Sequence, residues 1–272
     1  MTRGRDARMP AMASTPAPWD RASLVPVTAD GRRVPELAQL GPGIPDLATL
    51  FTFLRDAELR FGTLRLRIEE RARTAAGETL RIHEVLLRHP GLARVTVRRP
   101  DRPAPVNHDI WLSDGQMVRT YRAGHRLGTF RPVRATVAGV DDRDLPGTSR
   151  PYVPLTALPA SSLADTFVHP GGFAQNVLAT GACVVEGPGT IAGREVILVA
   201  SAHPRTTELA GDRPDHRLEV AVDRETGLLA LLVESFGGVV TRRAEATEIA
   251  PDAPIPAEAF SIATPADASL IY

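Results

Sequence analysis

The sequence has no lysine: its 32 Lys and Arg residues are all arginine, and 32 Asp and Glu cancel them to a formal net charge of +0. Neutrality without a one-sided basic stripe argues against nucleic-acid binding, because neutralising phosphates calls for a basic excess. Arginine-only usage beside high Ala, Pro and Gly content reads as the codon bias of a GC-rich genome rather than arginine-specific recognition. The single cysteine, Cys183, excludes an intramolecular disulfide, and in the run Ala182-Cys183-Val184-Val185 it reads as a small buried side chain. No run of about eighteen apolar residues occurs, which excludes a transmembrane helix. Near the N-terminus Asp6, Pro10, Pro16 and Pro18 break any apolar export segment, and Arg32-Arg33 lacks the hydrophobic stretch that a twin-arginine signal requires. The chain as written is therefore expected to be cytoplasmic.

Motifs that carry chemistry are missing too. His83, Glu84 and His89 are close in sequence, but a strand sends His83 and Glu84 to opposite faces, and neither His-x-His nor Cys-x-x-Cys spacing occurs. Neither a metal nor a cofactor is expected. Asn107-His108-Asp109 has the makings of an oriented imidazole, and Ser113 or Ser235 of a hydroxyl, yet no Gly-x-Ser-x-Gly elbow frames either serine. Gly187-Pro188-Gly189 lacks the Lys-Ser/Thr of a phosphate loop, and Gly237-Gly238 joins two strands instead of opening a helix. No constellation identifies an enzyme.

What is present is a chain of 272 residues, 43% hydrophobic and 24% charged, able to bury a core and within the size of one large β domain. Residues 1–43 are rich in Pro, Ala, Gly and Arg without periodicity and read as a disordered arm, with Trp19 as a docking anchor or partner contact. From Ile44 the spacing of Leu47, Leu50, Phe51 and Leu54 predicts one amphipathic helix ending near Phe61-Gly62, with Pro45 in its first turn. Strict alternation in Leu64-Arg65-Leu66-Arg67-Ile68-Glu69 predicts a strand with arginines on its wet face. Further strands are expected at Thr79–Arg88, Leu92–Arg98, His108–Ser113, Gln116–Arg122 and Leu127–Arg134. A connection from Ala138 to Pro159 and short helices at Ser161–Val168 and Gly172–Thr180 follow. A second meander comprises Ala182–Glu186, Glu195–Ala202, Arg217–Asp223, Leu228–Phe236 and Val239–Ile249. The fold class is mainly β (α+β): about eleven antiparallel strands in a unit over 44–272, with a few short helices. The Pro-broken tail is expected along a sheet edge, with Phe260 tucked in.

The order of several turn motifs resembles the LolA-type lipoprotein-carrier and RseB (MucB)-type sigma-factor regulatory superfamily. They are Gly193-Arg194-Glu195, Asp223-Arg224-Glu225-Thr226-Gly227-Leu228, Ile255-Pro256-Ala257-Glu258-Ala259-Phe260 and Pro265, preceded by Arg98-Arg99-Pro100, Ser113-Asp114-Gly115 and Tyr121. Read from the residues alone, these motifs place hairpin turns. The resemblance, over about residues 44–265, implies a curved half-barrel whose mouth is covered by helices and whose concave face accepts an acyl chain or other apolar ligand. It implies a lining of Leu66, Ile68, Val95, Val97, Trp111, Met117, Tyr121, Phe130, Phe167, Phe173, Val220 and Leu232. The resembled carriers are exported and the sigma regulators have a second domain, whereas this sequence shows no signal and ends at Tyr272. A cytosolic relative with another apolar ligand, or a protein with an unrecognised anchor, is therefore expected. Two alternatives stand beside it: a regulatory module docking a protein partner through the arm or a sheet edge, and a cyclase or isomerase using the same cavity.

Overall fold

The computed structural model describes residues 37–133, 154–204, 215–262 and 268–271. Alternation sets the first strand: β1 (Thr63–Thr74) buries Leu64, Leu66 and Ile68 and leaves Arg65 and Arg71 exposed. It begins a meander with β2 (Gly77–Arg88), β3 (Leu92–Arg98), β4 (His108–Asp114), β5 (Met117–Arg122) and β6 (Leu127–Pro132). A second meander is built from β7 (Ala182–Ile191), β8 (Arg194–Ala202), β9 (His216–Asp223), β10 (Leu229–Phe236) and β11 (Val239–Pro251). Antiparallel pairing of β1 with β11 joins the two into one curved, unclosed sheet of the half-barrel type. Among the described residues the sheet has twelve strands, one more than expected, because β12 (Ser269–Ile271) adds in parallel to β6. Three tail residues are too few to show a period, so this strand left no signal in the sequence.

The helices lie over one face of the sheet. In α1 (Leu47–Arg55), the Asp46 carboxylate caps the first turn by accepting from the Thr49 N–H at 2.7 Å, and Leu50, Phe53 and Leu54 turn inward. The helix is shorter than expected: it stops at Asp56, and a 3-10 turn over Ala57–Arg60 follows, which brings Ala57 and Glu58 into the interior. Ser162 caps α2 (Leu163–Val168), and Pro170 opens α3 (Pro170–Asn176) at the position where a missing N–H costs nothing. This last helix starts two residues before the expected Gly172 because Gly171 belongs to its contact with α1. A Cβ there would lie 2.9 Å from the Arg55 Cα.

Two expectations about the ends of the chain need correction. The arm was to run to residue 43, but residues 37–43 are part of the folded unit. Arg60 donates to the Ala38 carbonyl at 2.5 Å, Arg224 to the carbonyls of Gly41 and Gly43, and Leu40 packs on the core. The remainder of the arm with Trp19, the 138–153 part of the long connection, and Pro265 lie outside the described residues. The tail was to follow an edge, yet it first crosses the sheet face opposite the helices. Arg94 donates to the carbonyls of Ala259 (3.1 Å) and Ser261 (3.3 Å), and the Arg88 guanidinium sits 5.5 Å above the half-buried Phe260 ring. Arginine stems covering apolar strand surface supply this dock, a role that the alternating pattern does not announce.

Candidate functional site

Strand register decides which side chains share a face. Leu66, Val85, Val95 and Trp111 stand in one row across β1 to β4 on the helix-covered face, and Ile68, His83 and Val97 form the next row. Val220 and Leu232 continue the same face in the second meander, paired with each other and with Ala244 of β11. Phe167 of α2 and Phe173 of α3 pack onto it. Met117, Tyr121 and Phe130 do not join them. Thr120 is the residue of β5 opposite Trp111, so Met117 and Tyr121, at odd steps from it, and Phe130 opposite Arg119 occupy the other face. Tyr121 there meets His108 with ring centroids 6.1 Å apart, and Arg119 lies 5.3 Å over the Phe130 ring. The expected lining therefore divides nine to three between the two faces.

On the covered face the nine differ in a way that bears on ligand space. Ile68 and Phe167 are 0% exposed, Leu66 and Val220 1%, and Val95 and Leu232 only a few per cent. A side chain without accessible surface borders no void that admits a water, so these six are a filled core rather than an open lining. Val97, Trp111 and Phe173 are half-buried. Packing of α1 to α3 on the sheet concentrates on β2, β7 and β10, and over β4 to β6 the residues Trp111, Thr120 and Thr129 keep part of their surface. Trp111 Nε1 is buried and has no hydrogen-bond partner among the described residues, although Thr120 beside it is bonded to Thr129 through their hydroxyls at 2.7 Å.

Beyond Trp111 along the strands this face turns polar. Asp109 takes a hydrogen bond from Arg99 at 2.7 Å, and Arg122 stands opposite Asp109 on β5. One strand pair further on, Glu70 is held by Arg242 at 2.7 Å and by His83 at 2.9 Å, with Arg81 at 3.8 Å. Burial of the Glu70 carboxyl disfavours its charge, but His83 and Arg242 outweigh that and hold its pKa down at about 2.

At the opposite end, under the helices, lies a buried network that sequence reasoning missed. His169, 6% exposed, bonds Asp165 through Nδ1 at 2.9 Å, and its Nε2 lies 3.3 Å from the Glu58 carboxylate without hydrogen-bond alignment. Glu58 also accepts from the Leu155 N–H, and His89 Nδ1 is paired with the Thr156 hydroxyl at 2.8 Å. Burial opposes a charge on His169, but Glu58 and Asp165 prevail and raise its pKa to about 9; burial and the neighbouring His169 push His89 down to about 4. The available signal was slight: Asp165 and His169 are four residues apart, and both histidines precede a proline at an element's end. The network ties the first helix region, the β2–β3 hairpin, the 154–158 segment and α2 together. Its one hydroxyl beside an imidazole, that of Thr156 on His89, belongs to a residue with no exposed surface, so no substrate reaches it and the network serves as a clamp.

Two of the turn motifs, Gly193-Arg194-Glu195 and Asp223 to Leu228, form one clasp. Asp223 accepts from the Thr226 N–H (2.8 Å) and hydroxyl (2.6 Å), Gly227 follows with φ +79°, and Arg194 donates to Asp223 at 2.5 Å and to Glu225 at 2.7 Å. A polar groove of about 460 Å³ beside it is lined by Leu40, Arg194, Arg224 and Glu225. A smaller groove of about 240 Å³ on the face opposite the helices is lined by Arg65, Arg67, Arg94 and Arg98. Its charges are answered locally, Arg65 by Glu248 at 2.6 Å and Arg98 by Glu84 at 3.3 Å. His108 and Asp109 point to opposite faces, so the Asn107-His108-Asp109 stretch forms no dyad. Among the described residues no cluster of His, Cys, Asp and Glu has the geometry to hold a metal ion, and no helix is long and apolar enough to cross a membrane.

No family model matches the sequence, and no curated protein does. Solved structures do match. The chain is similar to MucB at 16% identity, over 82% of this chain and 65% of that one, with a TM-score of 0.48. A LolA-superfamily protein from Nitrosomonas europaea matches at 8% identity over 80% of this chain and 98% of that one (TM-score 0.32). The lipoprotein LppX of Mycobacterium tuberculosis matches at 10% identity over 77% and 97% (TM-score 0.41). The chain thus spans about 65% of the length of MucB. At these identities the likeness concerns the fold alone: the protein is similar to proteins of the LolA and RseB (MucB) type in its curved, unclosed antiparallel sheet.

Proposed function

We propose that this protein binds an apolar ligand, such as a lipid, an acyl chain or a hydrophobic metabolite, on the part of the covered sheet face around Val97 and Trp111. The carrying observation is the attitude of Trp111: its polar N–H is buried without a partner among the described residues while the residue as a whole is only half-buried. An indole on a free, wet surface gains by the reverse arrangement, with N–H in water and carbon edge covered. Keeping the carbon edge outward suits a site whose usual neighbour is apolar. Affinity then comes from non-directional burial, worth about 25 cal/mol per Å² of apolar surface.

The test uses the protein's own fluorescence. The chain has two tryptophans, Trp19 and Trp111, so Trp19→Phe leaves Trp111 as the single donor. Titration with the methyl ester of cis-parinaric acid, an uncharged polyene that accepts energy from tryptophan, is expected to quench Trp111 saturably at one ligand per chain. Trp111→Ala is expected to weaken binding by about tenfold, equivalent to roughly 1.4 kcal/mol of lost aromatic contact. Emission from Trp111 that does not respond to the ester overturns the proposal.

A further inference from the structure

We infer that the ligand is an anionic amphiphile, its chain on Val97 and Trp111 and its charged head held by Arg122 and Arg81. This rests on the binding site proposed above and adds the chemistry of the ligand's polar end. The covered face changes character within one step of Trp111. Trp111 pairs with Thr120, and two residues along the strands Asp109 pairs with Arg122. Strand spacing of about 4.8 Å and a rise of about 6.7 Å per two residues put the Arg122 Cα roughly 8 Å from that of Trp111. A chain lying along the Trp111 row therefore delivers its head group within reach of a guanidinium.

The charges along this lip are unevenly spent. Asp109 is occupied by Arg99 at 2.7 Å, Glu70 by Arg242 and His83 at 2.7 and 2.9 Å, and Glu234 by His216 at 3.1 Å. Arg122 is exposed and has no hydrogen bond or ion pair among the described residues. Arg81 is half-exposed and reaches only 3.8 Å from a carboxylate already held by two closer partners. Two cations with unspent donors at the rim of an apolar patch complement one anionic head group, since a guanidinium binds a carboxylate or phosphate through paired N–H donors. The arginine grooves elsewhere are a poorer match, because their guanidiniums are bonded to Glu248, Glu84 or tail carbonyls.

The experiment compares cis-parinaric acid with its methyl ester on the full chain carrying Trp19→Phe, at low and high salt. The acid is expected to bind about tenfold more tightly than the ester at low salt and to lose most of that advantage in high salt, where exposed charges are screened. In Arg81→Gln/Arg122→Gln the acid's affinity is expected to fall to that of the ester, while the ester's is unchanged, which also reports an intact fold. Equal affinities for acid and ester, or an acid affinity indifferent to salt, overturn the anionic head group and leave the apolar site standing. Binding of neither compound overturns the apolar site and this inference with it. Should the double variant lose both ligands together, the salt response of the parent protein decides between these outcomes.

Discussion

Trp111 and Phe167 are both large aromatics on the covered side of the sheet, yet truncating them is expected to have different consequences. Phe167 is 0% exposed, so Phe167→Ala leaves a cavity and is expected to cost roughly 3–5 kcal/mol in chemical denaturation. Trp111 is half-buried with an unpaired N–H, and Trp111→Ala is expected to cost clearly less than that range, because less packing is lost and one unmet donor is removed. Equal losses at the two positions would mark Trp111 as ordinary core. The buried histidines make a prediction about pH. His169, raised to about 9, contributes stability that is complete below about 6.5 and is lost as pH rises through 9. His89, lowered to about 4, contributes stability that is complete above about 6.5 and is lost as pH falls through 4. Thermal stability is therefore expected to peak near neutral or slightly acid pH. His169→Gln is expected to flatten the alkaline limb of the Tm–pH curve and leave the acid limb in place, where Glu70, held at about 2, also contributes.

Among the elements, the strands were the most readable and the faces of three of them the least. Alternation in Leu64 to Glu69 specified both a strand and its buried side, since the apolar set lies wholly on one parity. In β4 to β6 apolar residues fall on both parities: Ile110, Leu112 and Tyr121 face away from the helices, and Trp111 and Val118 toward them. Pattern alone has no preferred parity there, which is why Met117, Tyr121 and Phe130 were grouped with a face they do not share. The helices left a different kind of trace. Pro45, Asp46 and Ser162 marked their starts by local chemistry, but the break at Asp56 follows from Glu58 being drawn inside to meet Leu155 and His169, partners that are 97 and 111 positions away. Close approach of α1 and α3 is equally non-local. Gly171→Val is expected to destabilise by roughly 1–3 kcal/mol, because its side chain meets the Arg55 backbone and neither helix can withdraw without unpacking. A variant as stable as the parent in urea unfolding would show that the crossing is looser than this.

At the scale of the whole molecule, the β1–β11 ladder is what makes two meanders one body. Cutting the chain within 138–159 is expected not to release a half with a closed core, because β1 pairs with β11 and α2 packs against both β2 and β10. Limited proteolysis is expected to leave the two halves associated and to show one unfolding transition; a stable isolated fragment ending in that stretch contradicts the single unit. Truncation makes a graded prediction at the other end. Removing residues 1–36 is expected to leave Tm nearly unchanged, while extending the cut through residue 43 is expected to lower it by several degrees, since Arg60 and Arg224 then lose the carbonyls of Ala38, Gly41 and Gly43.

Composition and periodicity by themselves determined the strands of the two meanders and their order, the turn at Asp223 to Gly227 and the absence of a disulfide framework, because each is a property of neighbours along the chain. The tertiary structure alone decided which apolar residues are filled core and which keep free surface, that the tail docks on Arg88 and Arg94, and that Glu58, His89, Asp165 and His169 share one buried site. These depend on which strands lie side by side and how far the helices extend over them, and residues far apart in sequence meet there without any local pattern recording it. The contrast at Trp111, an open patch bordered by unspent arginines, is of that second kind: Val97, Trp111, Arg122 and Arg81 come from four strands and meet only when the sheet has formed.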